Sequence, residues 1–197
     1  MTGPCGGRSS RLAKQIYGPL KAEYPSLPLF VTIQADVFWQ QEREQADDLR
    51  QILPYTDYIA VSAHPYFFGH PDPATLPRAF FSRIRSLAPE KPFAVAETAF
   101  TATDVDAFGR KIPGRVDWQH EYLTWLLEES NRLRAQFVVW FFYRDYDALW
   151  NKLKILRPFI PALEVFKVFK NDGLLDAAGR DRPAAVTWRA WLTLPHP

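Results

Sequence analysis

The 197 residues contain a single cysteine, Cys5, so the chain closes no internal disulfide and builds no cysteine-based zinc site. No stretch approaches the 18 or so apolar residues of a membrane span, and the opening MTGPCGGRSSRLAKQ lacks the apolar core of a signal peptide. Localisation is therefore unknown, with secretion or periplasmic export open if the natural chain extends upstream. Its Gly- and Ser-rich start reads as an entry into a longer chain. Charge is balanced, 24 Lys plus Arg against 22 Asp plus Glu, with no dense basic block. That argues against a nucleic-acid or anionic-membrane partner, which needs positive charge gathered on one face. Neither G-x-G-x-x-G nor G-x-x-x-x-G-K-[ST] occurs, so no phosphate cradle is present, and nothing calls for a cofactor or a metal.

What the chain does have is core material: 47% hydrophobic residues, including 7 Trp, 8 Tyr and 15 Phe. Its length suits one domain over residues 1–197. Four short apolar runs read as buried strands at 29–35, 57–63, 92–97 and 136–143. Between them lie helical patterns at 41–53 and 78–87, a long loop over 98–116, and a helix from about Asp117 with Trp118, Tyr122, Trp125, Leu126 and Leu133 on one side. Helical segments around 150–170, a turn at Asp172-Gly173 and a helix over 182–192 close the chain. Strands that do not alternate, each followed by a helix, predict an α/β fold with a parallel sheet covered on both faces. An open doubly wound sheet and part of a (β/α)8 barrel both fit. The strand ends favour the barrel, because they carry polar and aromatic residues rather than a glycine-rich turn: Gln34, Asp36 and Trp39; His64 and Tyr66; Glu97; Trp140 and Asp145.

Glu97 ends the apolar run Phe93-Ala-Val-Ala, where an ionised carboxylate needs a partner or a cleft. The structural alternative is an arginine-paired strand end. His64 and Tyr66 follow the second strand in the same way; the phenol is placed to hold Glu97 or a ligand hydroxyl, or to be a half-buried rim aromatic. Trp140 is either core or the floor of a sugar subsite, since the C–H face of a pyranose packs on a flat ring. Gln34, Trp39, Phe67, Phe68, Phe100 and Phe108 are further candidates for an aromatic-lined cleft. Asp36, Asp104, Asp106, Asp145 and Asp147 read as solvated or turn-capping loop acids, and Asp104-x-Asp106 is a weak suggestion of calcium.

Lys91-Pro-Phe-Ala-Val-Ala-Glu-Thr-Ala-Phe100 resembles the seventh strand of clan A glycoside hydrolases, the retaining (β/α)8-barrel glycosidases. Ala63-His-Pro-Tyr66 resembles their sixth strand end, Val138-Val-Trp-Phe141 their eighth, and Gly173 to Ala184 the segment before their last helix; endo-galactanase-like enzymes are nearest in flavour. The resemblance implies a carbohydrate substrate, Glu97 as nucleophile, His64 and Tyr66 around it, and Trp140 under the sugar. It also implies that only about four β/α units, strands 5 to 8, are present. No Asn-Glu pair occurs, so the family's acid/base glutamate is expected before Met1. A chain of this kind is expected to be inactive alone, and to self-associate or meet its missing N-terminal half through open barrel edges. Two alternatives are a non-catalytic carbohydrate-binding remnant, and an enzyme in which Asp36 or Asp145 supplies the second carboxylate.

Overall fold

The computed structural model of the protein describes residues 6–194; Cys5 and the first residues of the chain lie outside them. Helix α1 (Gly6–Glu23) is followed by β1 (Thr32–Gln34), α2 (Ala35–Gln40), α3 (Glu42–Ile52), β2 (Ile59–Ala63), a single turn α4 (Ser82–Arg85) and β3 (Phe93–Thr98). Then come β4 (Thr103–Ala107), β5 (Arg110–Arg115), α5 (Val116–Arg132), β6 (Ala135–Trp140), α6 (Asp147–Leu153), α7 (Glu164–Val168) and α8 (Pro183–Leu192). The parallel sheet runs in the order β1-β2-β3-β6, and β1 pairs with β2 with Ile33 opposite Val61. Helices intervene along the chain, giving an α/β architecture of the (β/α)-barrel type with four parallel strands.

The chain packs as two compact units. Among the described residues the first comprises 6–63, 77–96 and 132–138 and the second 64–76, 97–131 and 139–194. In the first, every residue of β2 is buried, as are Phe93, Ala94 and Val95 of β3. Ala46, Leu49 and Ile52 of α3 are buried at the three- and four-residue spacing of one helix face. Asp57 ties the strand entrances together: its carboxylate accepts from Tyr17 (2.6 Å), Lys21 (3.1 Å) and the Leu29 amide (2.7 Å).

In the second unit, α5 buries Gln119, Tyr122, Leu123, Leu126 and Leu127. Its Gln119 amide donates to the carbonyls of Phe100 (2.9 Å) and Gly173 (3.2 Å), joining two loops that have no strand partners to satisfy them.

Three sequence expectations are corrected. The 98–116 segment is an antiparallel hairpin, not a loop: Val105, Ala107 and Ile112 point inward while Asp104, Asp106 and Lys111 face out, and the two-residue turn Phe108-Gly109 has both φ angles positive, the geometry a tight hairpin needs. Helix formation after β1 starts at Ala35, six residues earlier than the charged pattern indicates. The 136–143 strand is not covered on both faces. As β6 it lies at one edge of the sheet with a single strand neighbour, and Val139 stays 44% exposed.

Candidate functional site

The residues that bear on chemistry in the second unit begin where two strands end. β2 delivers His64 and β3 delivers Glu97, and His64 Nε2 lies 3.4 Å from Glu97 Oε1. Their environments differ. The Glu97 side chain is 42% exposed and that of His64 only 5%. Burial pushes the imidazole pKa down to about 4, so His64 is neutral at physiological pH, and partial burial pushes the Glu97 carboxyl above its ordinary value. A partly exposed carboxylate, flanked by a neutral imidazole rather than neutralised by a lysine or arginine, keeps its lone pairs available to a ligand. That is the electrostatic profile of a nucleophile or a general base.

The same unit holds a second cluster, centred on Asp172, which the sequence shows only as a turn. Asp172 is fully buried. Its Oδ2 accepts from the Tyr66 phenol at 2.6 Å and its carbonyl accepts from the Trp140 indole at 2.9 Å. Burial raises its carboxyl pKa well above the ordinary value, against the opposing pull of the Tyr66 bond. Tyr66 therefore commits its phenolic proton to Asp172, not to Glu97 as the sequence suggests. Trp140 is buried at 8% exposure and packs on Tyr122, so little of its ring is open to stack on a sugar.

Asp145 is corrected too. Far from being a solvated loop acid, it is 7% exposed and gripped at both oxygens by the Arg182 fork, at 2.8 and 2.6 Å. Asn171 and the Gly173 amide complete its partners, which leaves it no free lone pair for catalysis. Arg182 in turn donates to the Gly173 carbonyl at 2.6 Å. A Cβ at Gly173 would collide with the Asp145 amide and the Leu175 carbonyl, so the close backbone approach requires glycine.

The remaining candidates are dispersed. Gln34 and Trp39 belong to the first unit. There the Gln34 amide donates to buried Asp36 (2.7 Å), and the Trp39 indole donates to the Phe80 carbonyl (2.9 Å) while its ring stacks on Phe80. Phe100 is fully buried between Tyr66 and Tyr122, whereas Phe67 and Phe108 contact each other with Phe108 53% exposed. Asp104 takes Lys111 and the Gly114 amide. Among the described residues no three His, Cys, Asp or Glu side chains gather as metal ligands.

No protein-family model matches the sequence, and no curated protein sequence matches it. Solved structures do. The chain superposes on the glycoside hydrolase family 17 β-1,3-glucanosyltransferase of Rhizomucor miehei with a TM-score of 0.60 at 15% identity, over 93% of this chain and 57% of that one. An active-site mutant of the same enzyme, in complex with laminaritriose, gives 0.59. The β-D-glucuronidase of Dictyoglomus thermophilum gives 0.60 at 12% identity, over 93% of this chain and 29% of that one. The likeness is one of fold, a partial (β/α) barrel. The chain spans little more than half the length of the first of these relatives in structure.

Asp172 and Arg182 are the residues of this region that the sequence reading misses. A DG dipeptide and an RP dipeptide signal turns, while their side-chain carboxylate and guanidinium pair with partners 106 residues away for Asp172 and 37 for Arg182.

Proposed function

We propose that this chain carries the nucleophile side of a retaining glycosidase acting on O-glycosidic bonds of an oligo- or polysaccharide, with Glu97 as the nucleophile. The observation that carries the reading is the placement of Glu97: a partly exposed carboxylate with a raised pKa, at the end of a parallel barrel-type strand, 3.4 Å from a neutral histidine. Likeness of fold to glycosidases supports it.

In this mechanism the Glu97 carboxylate attacks the anomeric carbon as the glycosidic bond breaks, giving a glycosyl ester that water then hydrolyses. His64 lies against the carboxylate and, being neutral, orients it without quenching its charge. Tyr66 and Trp140 act one step back, both holding Asp172 and so fixing the loop that follows His64. Retention needs a second carboxyl about 5 to 5.5 Å from the first. Asp145 is engaged by Arg182, and the sequence holds no Asn-Glu pair; the acid/base is proposed to come from outside these residues, from further polypeptide or a partner subunit.

A leaving group that departs without protonation bypasses the missing acid. A 2-deoxy-2-fluoro glycoside with a dinitrophenolate leaving group is expected to esterify Glu97 in the chain as it stands, seen as an added mass on the Glu97 peptide and absent in Glu97→Gln. In the complete enzyme Glu97→Gln is expected to abolish hydrolysis while sugar binding persists. An adduct on another carboxylate, or turnover unchanged in Glu97→Gln, refutes the assignment; sugar binding with no adduct at all favours the non-catalytic carbohydrate-binding alternative.

A further inference from the structure

The second unit carries an open cleft of about 300 Å³ bordered by Asp106, Arg110 and Lys111 of the hairpin and by Arg157, Glu164 and Lys167 of the α7 segment. Four cations face two carboxylates. Arg157 is matched by Glu164 at 3.1 Å and Lys111 by Asp104 at 2.7 Å. Among the described residues Arg110 and Lys167 make no carboxylate ion pair, and with Asp106 as the remaining carboxylate on its border the cleft keeps a net positive charge. Arg110 is also held in place. Its guanidinium donates to the Phe67 carbonyl at 2.8 Å and lies 4.5 Å above the Phe67 ring, and Phe67 contacts exposed Phe108. A fixed guanidinium and a lysine suit a ligand that carries a carboxylate or sulfate.

Both walls connect to the His64 segment through an aromatic residue. Phe67, which anchors Arg110, lies three residues beyond His64. Phe169, two residues beyond Lys167, packs on the His64 ring with centroids 5.0 Å apart. Each wall is thus linked to His64 through one aromatic residue, Phe67 by chain and Phe169 by ring contact.

We propose that this cleft is an anion subsite and that the substrate is an acidic glycan, one whose sugars carry carboxylates or sulfates away from the bond being cleaved. The inference rests on the glycosidase reading for its location, and its charge chemistry can be tested apart from that reading.

The experiment measures binding of the full chain to polygalacturonate and hyaluronan, to carboxyl-reduced polygalacturonate, and to neutral galactan and laminarin, at low and physiological salt. Inorganic sulfate serves as the small-anion control. The expected result is at least ten-fold tighter binding of a uronate polymer than of its carboxyl-reduced form or the neutral glycans, falling as salt rises. Lys167→Gln is expected to weaken uronate binding several-fold and Arg110→Gln by about ten-fold. Lys167 sits on a surface helix, so its variant tests the charge should Arg110→Gln disturb the Phe67 loop. Equal binding of the uronate and its reduced form, or Lys167→Gln binding as the parent does, overturns the proposal, as does sulfate binding with no preference for any acidic glycan. Glu97→Gln in parallel separates the two readings. Uronate binding without a Glu97 adduct keeps the subsite and removes the nucleophile; an adduct without a uronate preference does the reverse.

Discussion

Replacing Arg182 by methionine keeps the length and apolar stem of the side chain but removes the fork that holds Asp145. Arg182 makes two bonds to the Asp145 carboxylate, at 2.8 and 2.6 Å, and one to the Gly173 carbonyl at 2.6 Å, all in a buried setting. What remains on Asp145 is the Asn171 amide at 3.2 Å and the Gly173 amide at 3.0 Å, two neutral donors for a buried charge. Breaking such a pair from one side costs about 3–5 kcal/mol, because the surviving ion keeps its desolvation penalty. Against a net stability of about 5–15 kcal/mol this is a large fraction, and for a chain of this length it lowers Tm by about 6–20 °C. Urea unfolding of the parent, Arg182→Met, Asp145→Leu and the double variant gives the cycle. The double variant is expected to be more stable than either single one, since removing both charges removes the uncompensated ion. Arg182→Lys should fall between parent and Met, keeping the charge but not the fork. A loss below about 1 kcal/mol for Arg182→Met, or additive single effects, refutes the view that this pair holds the region together.

Other outcomes follow from the same structure. His64 takes up its proton near pH 6.5 when unfolded and only near 4 when folded; between these values the unfolded state binds more protons, so stability falls as pH drops, by up to about 3 kcal/mol. His64→Gln should remove that share of the acid sensitivity in urea titrations at pH 7 and 4.5, and an unchanged pH slope contradicts the burial argument. Glu97 works in the opposite sense: its raised pKa means stability is lost as pH rises through the carboxylate range, and Glu97→Gln should be stabilised relative to the parent at neutral pH. Tyr66→Phe deprives buried Asp172 of one of its donors and is expected to cost about 1–3 kcal/mol in chemical denaturation; a cost indistinguishable from zero would show that the bond contributes nothing net. Gly173→Ala forces a Cβ against two backbone groups that cannot rotate away, and a melting curve should register about 2 kcal/mol or more.

The strand-helix order and the strand ends were legible because burial on both faces leaves unbroken apolar runs, as at Ile59–Ala63 and Phe93–Val95. Glu97 and His64 stood out for the same reason, being polar groups at the ends of such runs. The hairpin was obscured because its turn is Phe-Gly rather than Asn-Gly and its inward residues, Val105, Ala107 and Ile112, are separated by acids and a proline. Edge exposure of β6 was invisible, since Phe137, Val138 and Val139 read alike whether a neighbour covers them or not. Asp172 and Asp145 could not be told from surface acids, because what buries them is Tyr66 in one case and Arg182 in the other, and no local pattern encodes a partner that far along the chain.

The separation between Tyr66 and Asp172, 106 residues, has a consequence for synthesis. Translation delivers the His64–Tyr66 loop long before the acceptor for its phenol exists, and the Asp145–Arg182 fork that fixes the neighbouring Gly173 closes later still. On the ribosome, β1, β2 and β3 can pair early, while the buried network of Asp145 and Gly173 is complete only once Arg182 has emerged. Premature termination between Asp145 and that arginine would release a protein with its early strands formed and a carboxylate without its partner, a substrate for chaperones and proteases rather than a shorter version of the same molecule.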